Sequence, residues 1–184
     1  MKLFIGCSSS DDIQEIYNTD CSNYLEELFK LDNELVFGAY NKGLMAISYN
    51  IALKHNRKIT GITPKIFVDA LKDLECNEEI ITTNISRRTD KLIEESDALI
   101  FLPGWIGTIY ELFTSIESKR SGEFNKPIII YNSNHFFDKL LLFLEDIYKE
   151  KFTSLSVKDT YHISESATDT IEYLNKYFKT LDTK

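Results

Sequence analysis

The segment that most constrains the fold of this chain is the apolar run at positions 98–102, which is followed at once by Pro103 and Gly104. It is the most strand-like segment of the sequence. Because the run has no polar face, it is expected in the middle of a parallel sheet that is covered on both sides. The loop at 103–108 and the helical pattern over 108–119 make this segment one strand–loop–helix unit.

The same order, a short apolar run and then a helical pattern, recurs along the whole chain. Further strands are predicted at positions 3–5, 35–37, 59–62, 80–83, 127–131 and 159–163. Further helices are predicted at 17–31, 44–53, 87–96, 136–148 and 167–178. Such alternation is typical of βαβ units, in which a right-handed crossover through a helix joins two parallel strands. The sequence therefore predicts an α/β fold, a Rossmann-like three-layer αβα sandwich with a mainly parallel sheet, and residues 1–184 are expected to form a single domain.

The net charge and the cysteine content indicate which kinds of partner and which cellular compartment to expect. The formal net charge is -8, which argues against a nucleic-acid-binding protein because phosphate backbones require clustered cations. A small anionic ligand is compatible with this charge, since a few local donors can hold one phosphate. Cys7, Cys21 and Cys76 are too scattered to indicate a disulfide framework or a zinc site, so a reducing, cytoplasmic location is expected. No window approaches the roughly 20 apolar residues of a membrane helix.

Three loops that follow predicted strands are rich in small or polar residues: positions 6–10, 38–43 and 103–108. In a parallel sheet such loops meet at the carboxyl edge, where ligands bind. Unpaired amides at the start of the next helix favour a phosphate, and glycine lets the backbone come close to it. A single loop of this kind is equally well explained by the geometry of a sharp turn. Three loops along one edge favour a binding site.

Two charged residues stand near these loops. Glu111 lies one turn into the helix that follows the third loop, so its carboxylate is expected to reach the site opening. Taken alone, Glu111 is better explained as an acid that complements the helix dipole. Arg88 lies at the start of the helix that precedes the 98–102 strand, and taken alone it is an ordinary solvated arginine.

Longer motifs resemble those of a known family. Positions 103–111 read Pro-Gly-Trp-Ile-Gly-Thr-Ile-Tyr-Glu, which is similar to the signature PGGxGTxxE of the LONELY GUY family, the cytokinin riboside monophosphate phosphoribohydrolases long mislabelled as lysine decarboxylases. Arg88 and Thr89 stand where the family has an Arg-Lys pair. Residues 6–10, 37–45 and 125–127 also resemble family motifs, so the resemblance covers nearly the whole chain.

The resemblance implies a nucleotide-binding domain that hydrolyses the N-glycosidic bond of a nucleoside 5′-monophosphate to a free base and ribose 5-phosphate. Arg88 and Glu111 would be the catalytic pair. The substrate and its phosphate would be held by Ser8, Ser9, Gly38, Gly43, Gly104, Gly107 and Thr108. No metal ion and no cofactor is implied. The expected partners are a small-molecule nucleotide and a second copy of the chain, without nucleic acid or membrane.

The chain departs from the family pattern around the expected phosphate loop. Trp105, Ala39 and Tyr40 replace glycines, and Thr89 replaces the lysine. Each change adds bulk or removes charge, so a non-catalytic nucleotide-binding or sensing protein of the same fold is the alternative function. A lysine decarboxylase is rejected, because such an enzyme needs a cofactor-binding lysine and the site loops offer only Lys42.

Two structural questions stay open at this point. The indole of Trp105 either packs over the neighbouring helix or across a dimer interface, or it forms a wall of the pocket and stacks on a base. The homodimer expected from the resemblance would use helices near the site. The apolar residues of 44–53, together with Leu112, Phe113 and Ile116, fit such an interface and the core equally well.

Overall fold

Strands and helices alternate along the chain in the computed structural model, which describes residues 1–181. The strands are β1 (Lys2–Gly6), β2 (Glu34–Phe37), β3 (Ile59–Pro64), β4 (Glu78–Thr82), β5 (Ala98–Phe101), β6 (Ile128–Tyr131) and β7 (His162–Ser164). The α-helices are α1 (Glu15–Lys30), α2 (Gly43–Lys54), α3 (Ile85–Glu94), α4 (Ile106–Arg120), α5 (Asp138–Lys149) and α6 (Ala167–Leu181). Three 3₁₀ segments, Lys65–Asp73, Ser133–His135 and Leu155–Thr160, lie between them.

The strands form one parallel sheet in the order β4-β3-β2-β1-β5-β6-β7. β1 is central: Phe4 pairs with Val36 of β2 on one side and with Leu99 of β5 on the other. The direction in which successive strands are added reverses between β1 and β5. Such a reversal opens a crevice at the carboxyl ends of the two strands, the usual ligand position in open α/β sheets. The predicted α/β fold with a parallel sheet is confirmed.

Alternate side chains of the central strands pack into two apolar cores, one on each face of the sheet. Leu3 and Ile5 of β1 pack with residues of α1, α2 and α6, whereas Phe4 packs with residues of α3, α4 and α5. The strand run at 98–102 lacks a polar face because both of its faces are covered in this way. Leu112 and Ile116 of α4 belong to the second core, so they are core residues rather than free interface residues.

Two of the helices that begin at the crevice, α3 and α4, differ in how their first turns are capped. α3 begins after Asn84, whose side chain accepts a hydrogen bond from the backbone N–H of Arg87 over 2.9 Å, as a capping residue does. α4 begins after Trp105, which provides no side-chain cap. No capping side chain therefore satisfies the first amides of α4, and an anion can bind to them.

Several element boundaries differ from the predicted ones. The strand predicted at 159–163 is confined to His162–Ser164, because Leu155–Thr160 forms a 3₁₀ segment. Helix α4 begins two residues before the predicted start, since Gly107 joins the first turn instead of ending the loop. The segment Lys65–Asp73 was not predicted, because it consists of short 3₁₀ turns interrupted at Phe67, where the backbone is not helical. Within residues 1–181, no helix has the length and apolar character needed to cross a membrane.

Candidate functional site

A cleft of about 850 Å³ lies at the carboxyl ends of β1 and β5, where the sheet order reverses. The loops after these strands and the starts of α1, α3 and α4 form its walls. Gly38 and Gly43, two of the site residues predicted from sequence, lie behind the wall. The other predicted site residues line the cleft: Ser8, Ser9, Arg88, Gly104, Gly107, Thr108 and Glu111.

The loop after β1 is held by backbone hydrogen bonds on two sides. The N–H of Ser8 donates to the carbonyl of Pro103 over 3.0 Å, and the carbonyl of Ser8 accepts from the N–H of Met45 over 3.2 Å. The Ser8 hydroxyl accepts from the N–H of Ser10 over 3.1 Å. Ser8 thus connects the loop after β5 to the first turn of α2. Ser8 is buried, whereas Ser9 beside it is exposed.

The loop after β2 supports the cleft wall from behind. Gly43 has a φ of 54°, and a Cβ added there would lie 2.4 Å from the carbonyl oxygen of Ser10. At Gly38, an added Cβ would lie 3.7 Å from Nη1 of Arg88. Ala39, which stands where the family pattern has glycine, is buried with a φ of 53°. The loop therefore keeps a left-handed residue at this position, at a cost of about 1–2 kcal/mol for the alanine.

The loop after β5 places two glycines in contrasting surroundings. A Cβ at Gly104 would lie 2.1 Å from Oγ1 of Thr108, so a side chain there would collide with the first turn of α4. A Cβ at Gly107 would meet no atom of the described residues within 4 Å. Trp105 has φ -85° and ψ -166°, an extended conformation that every residue type adopts. The backbone at Trp105 therefore does not require a glycine.

The side chains of Arg88 and Glu111 meet at the floor of the cleft. Nη2 of Arg88 donates to Oε1 of Glu111 over 2.7 Å, which joins α3 to α4. The two side chains expose only 12% and 3% of their surface. They are neither a solvated arginine nor an acid that serves only the helix dipole. Nε of Arg88 is buried and has no hydrogen-bond partner in the described part of the chain, so the guanidinium keeps an unused donor.

Burial also sets the protonation chemistry of the cleft. It raises the pKa of Glu111 to about 7, although the guanidinium of Arg88 opposes the rise. A carboxyl group with this pKa is present in both protonation states near neutral pH, as a group that transfers protons must be. Burial raises the pKa of the Cys7 thiol well above its ordinary value. Cys7, which also lines the cleft, is therefore a neutral thiol and a poor nucleophile.

Aromatic side chains surround the mouth of the cleft, and most of them were not predicted as site residues. Tyr17, Phe67, Trp105 and Phe136 all line it. Tyr17 and Phe136 were assigned only to helices, because each falls in an amphipathic pattern. A usable signal was their position, since Tyr17 follows β1 and Phe136 follows β6 at the carboxyl edge of the sheet.

Comparisons with known proteins identify the relatives of this chain. A family model described as "Possible lysine decarboxylase" matches residues 45–174. The chain belongs to this family. Cytokinin riboside 5'-monophosphate phosphoribohydrolase LOG2 from Arabidopsis thaliana is 27% identical over 177 residues, which cover 96% of this chain and 83% of that protein. LOG3 from the same plant, which has the same enzyme name, is 25% identical over 177 residues, 96% of this chain and 82% of that protein. The resemblance inferred from the motifs is confirmed.

Solved structures share the fold of this family member. The molybdenum cofactor carrier protein from Chlamydomonas reinhardtii superposes with a TM-score of 0.69 at 15% identity, covering 97% of this chain and 98% of that one. The molybdenum cofactor binding protein from Rippkaea orientalis gives 0.69 at 18% identity and covers 96% of both chains. At these identities the likeness shows a common fold alone.

Proposed function

We propose that this protein hydrolyses the N-glycosidic bond of a nucleoside 5′-monophosphate and releases a free base and ribose 5-phosphate. The observation that carries the proposal is the buried Arg88–Glu111 pair on the floor of a cleft whose wall includes the uncapped start of α4. The relatives carry the name of phosphoribohydrolases, which favours an enzyme over a protein that only binds or senses a nucleotide.

The family description suggests a different reaction, the decarboxylation of lysine. A decarboxylase of that kind uses a lysine that forms a Schiff base with its cofactor. Within the described residues, none of those that line the cleft is a lysine. The chemistry of the cleft therefore supports hydrolysis of a glycosidic bond rather than decarboxylation.

In the proposed reaction the bond between C1′ and the base nitrogen breaks, and its electron pair leaves with the base. The sugar becomes an oxocarbenium-like cation. The ionised carboxylate of Glu111 stabilises that positive charge or holds the ribose hydroxyls. A water oxygen then bonds to C1′ and loses a proton, while the departing base gains one, so protons balance. Arg88, whose side chain lines the cleft, binds the phosphate or the departing base.

The phosphate is proposed to lie against the first turn of α4. Backbone amides at a helix start attract an anion through their unpaired hydrogens and the helix dipole. Gly107 leaves open space there, and the Thr108 hydroxyl and the hydroxyls of Ser8 and Ser9 supply further hydrogen bonds. Gly43 contributes indirectly, since it lets the wall pack closely against Ser10, and Gly38 lies behind Arg88.

The test is release of free base and ribose 5-phosphate from a panel of nucleoside 5′-monophosphates. Glu111→Gln is expected to lower kcat by about 10²–10³-fold, the range for removing one group that stabilises charge in the transition state, with the fold unchanged by circular dichroism. Glu117→Gln is the matched control, because Glu117 lies on the same helix and pairs with Arg120 on the surface. Wild-type protein that released no base from any monophosphate would contradict the proposal.

We further propose that residues 1–184 act as one nucleotide-binding unit, that two copies form a homodimer, and that the protein works in the cytoplasm. The family resemblance supports the dimer. A second support is the exposed apolar surface at the start of α4, where Ile106 and Tyr110 expose 64% and 41% of their surface.

A further inference from the structure

Trp105 lies at the mouth of the cleft with its indole in water. It exposes 81% of its surface although it lines the cleft. A packed aromatic side chain buries about 150–250 Å², so this indole contributes little to packing within residues 1–181. Of the arrangements considered from the sequence, packing over the neighbouring helix is therefore wrong.

Two of the other aromatic residues that line the cleft are fixed by ring contacts, whereas Phe67 makes none with any described residue. Tyr17 and Phe136 meet edge to face with ring centroids 5.7 Å apart. Phe136 also meets the buried Phe137 edge to face at 4.9 Å. Trp105 makes no ring contact with any described residue. The mouth thus combines an anchored aromatic pair with an indole whose face is free.

The polarity of the cleft changes between its floor and its mouth. The floor carries hydroxyls and the buried ion pair, supplied by Ser8, Thr108, Arg88 and Glu111. The exposed part of the lining combines the aromatic side chains with the polar residues Ser9, Ser10, Asp12 and Gln14. A ligand that matches both ends has an anionic, hydroxyl-rich part and a planar part. A nucleoside monophosphate has this division, and its planar part is the base.

We propose that Trp105 is a specificity-determining residue that stacks on the base of the bound nucleotide. This inference rests on the proposed function and adds the group that recognises the base. Stacking acts through the face of the ring rather than through its hydrogen-bonding edge. Because purines offer the larger face, the contribution of Trp105 to binding is larger for a purine than for a pyrimidine monophosphate.

The experiment uses nucleotides that cannot be hydrolysed, so that binding is measured apart from turnover. Formycin A 5′-monophosphate and pseudouridine 5′-monophosphate have a carbon–carbon glycosidic bond and represent the purine and pyrimidine cases. Ribose 5-phosphate, which lacks a base, is the third ligand. Isothermal titration calorimetry is performed on the wild type, Trp105→Ala, Trp105→Phe and Phe152→Ala. Phe152 is the matched control, since it exposes 83% of its surface and does not line the cleft.

Trp105→Ala is expected to weaken formycin A 5′-monophosphate binding by about 10- to 100-fold, in line with the loss of one stacked base. Ribose 5-phosphate affinity stays unchanged, pseudouridine 5′-monophosphate loses less, and Trp105→Phe retains most of the purine affinity. Phe152→Ala binds all three ligands as the wild type does.

Unchanged purine affinity in Trp105→Ala would overturn the inference while leaving the proposed function intact. An equal loss for the purine nucleotide and ribose 5-phosphate, with dissociation of a dimer in sedimentation, would overturn it too, because Trp105 would then hold a second copy. A wild type that binds none of the three ligands would overturn the proposed function itself.

Discussion

At the scale of single residues, Glu111 carries the most unusual chemistry of the chain. Its carboxyl group is buried beside one guanidinium, and burial outweighs that neighbour in setting its pKa to about 7. In water the same group ionises at about 4.3. The fold therefore keeps the carboxyl group of Glu111 protonated at pH values at which most glutamates are already ionised.

This pKa predicts how folding stability depends on pH. Because the folded state holds the proton more tightly than the unfolded chain, stability falls as pH rises from about 4.5 to about 7 and is then constant. The loss is roughly 3 kcal/mol at most, from 1.36 kcal/mol per pKa unit. Urea unfolding at several pH values should show this loss of stability with rising pH in the wild type and not in Glu111→Gln. Parallel pH profiles for both proteins would contradict it.

The same pKa predicts the pH dependence of activity. If Glu111 acts as the carboxylate, kcat/KM rises with pH through about 7, since kcat/KM reports the free enzyme. The second phosphate pKa of the substrate, about 6, falls near this range. The Glu111 carboxyl carbon is therefore titrated separately by NMR and assigned with Glu111→Gln. A midpoint near 4.5 in that titration would show that burial does not raise the pKa of Glu111.

At the scale of elements, the loops after the strands show what a sequence can and cannot predict. β5 and its loop were predictable because the apolar run and the glycines are local signals. The contact between Arg88 and Glu111 depends on how α3 lies beside α4, so only the family resemblance brought the two residues together. Tyr17 and Phe136 were missed because an aromatic residue in an amphipathic pattern looks the same in a core and at a cleft mouth.

The first turn of α4 gives a test of the phosphate site that uses two glycines. Gly107→Ala is expected to leave the free energy of unfolding unchanged or raised by up to about 1 kcal/mol, because alanine favours a helix and meets open space. Ribose 5-phosphate should nevertheless bind more weakly, since the methyl group enters the proposed phosphate position.

Gly43→Ala is the contrasting change. There the methyl group meets the Ser10 carbonyl at a positive φ, so stability should fall by more than about 1 kcal/mol. Chemical unfolding and calorimetric titration of both variants provide the measurements. If Gly107→Ala bound ribose 5-phosphate as tightly as the wild type does, the phosphate site would not lie at the first turn of α4.

At the scale of the whole molecule, the exposed apolar surface at the start of α4 supports the proposed homodimer. Sedimentation at micromolar concentration is expected to give twice the 21.3 kDa mass of one chain. Ile106→Asp should shift the equilibrium toward the monomer, because a carboxylate would be buried in the interface. Leu142→Asp on α5 is the matched control, since Leu142 exposes 63% of its surface against 64% for Ile106. A monomeric wild type at that concentration would rule out the proposal.

The two backbone hydrogen bonds of Ser8 have a kinetic consequence. They tie the β1 loop to Pro103 and Met45 through the protein's own backbone, so this wall is preorganised. Ordering a flexible loop costs about 1–2 kcal/mol per residue, and here that cost is met during folding. Association with a ligand then needs no further ordering of this loop. Differences in affinity between ligands therefore reside in how long each one stays bound.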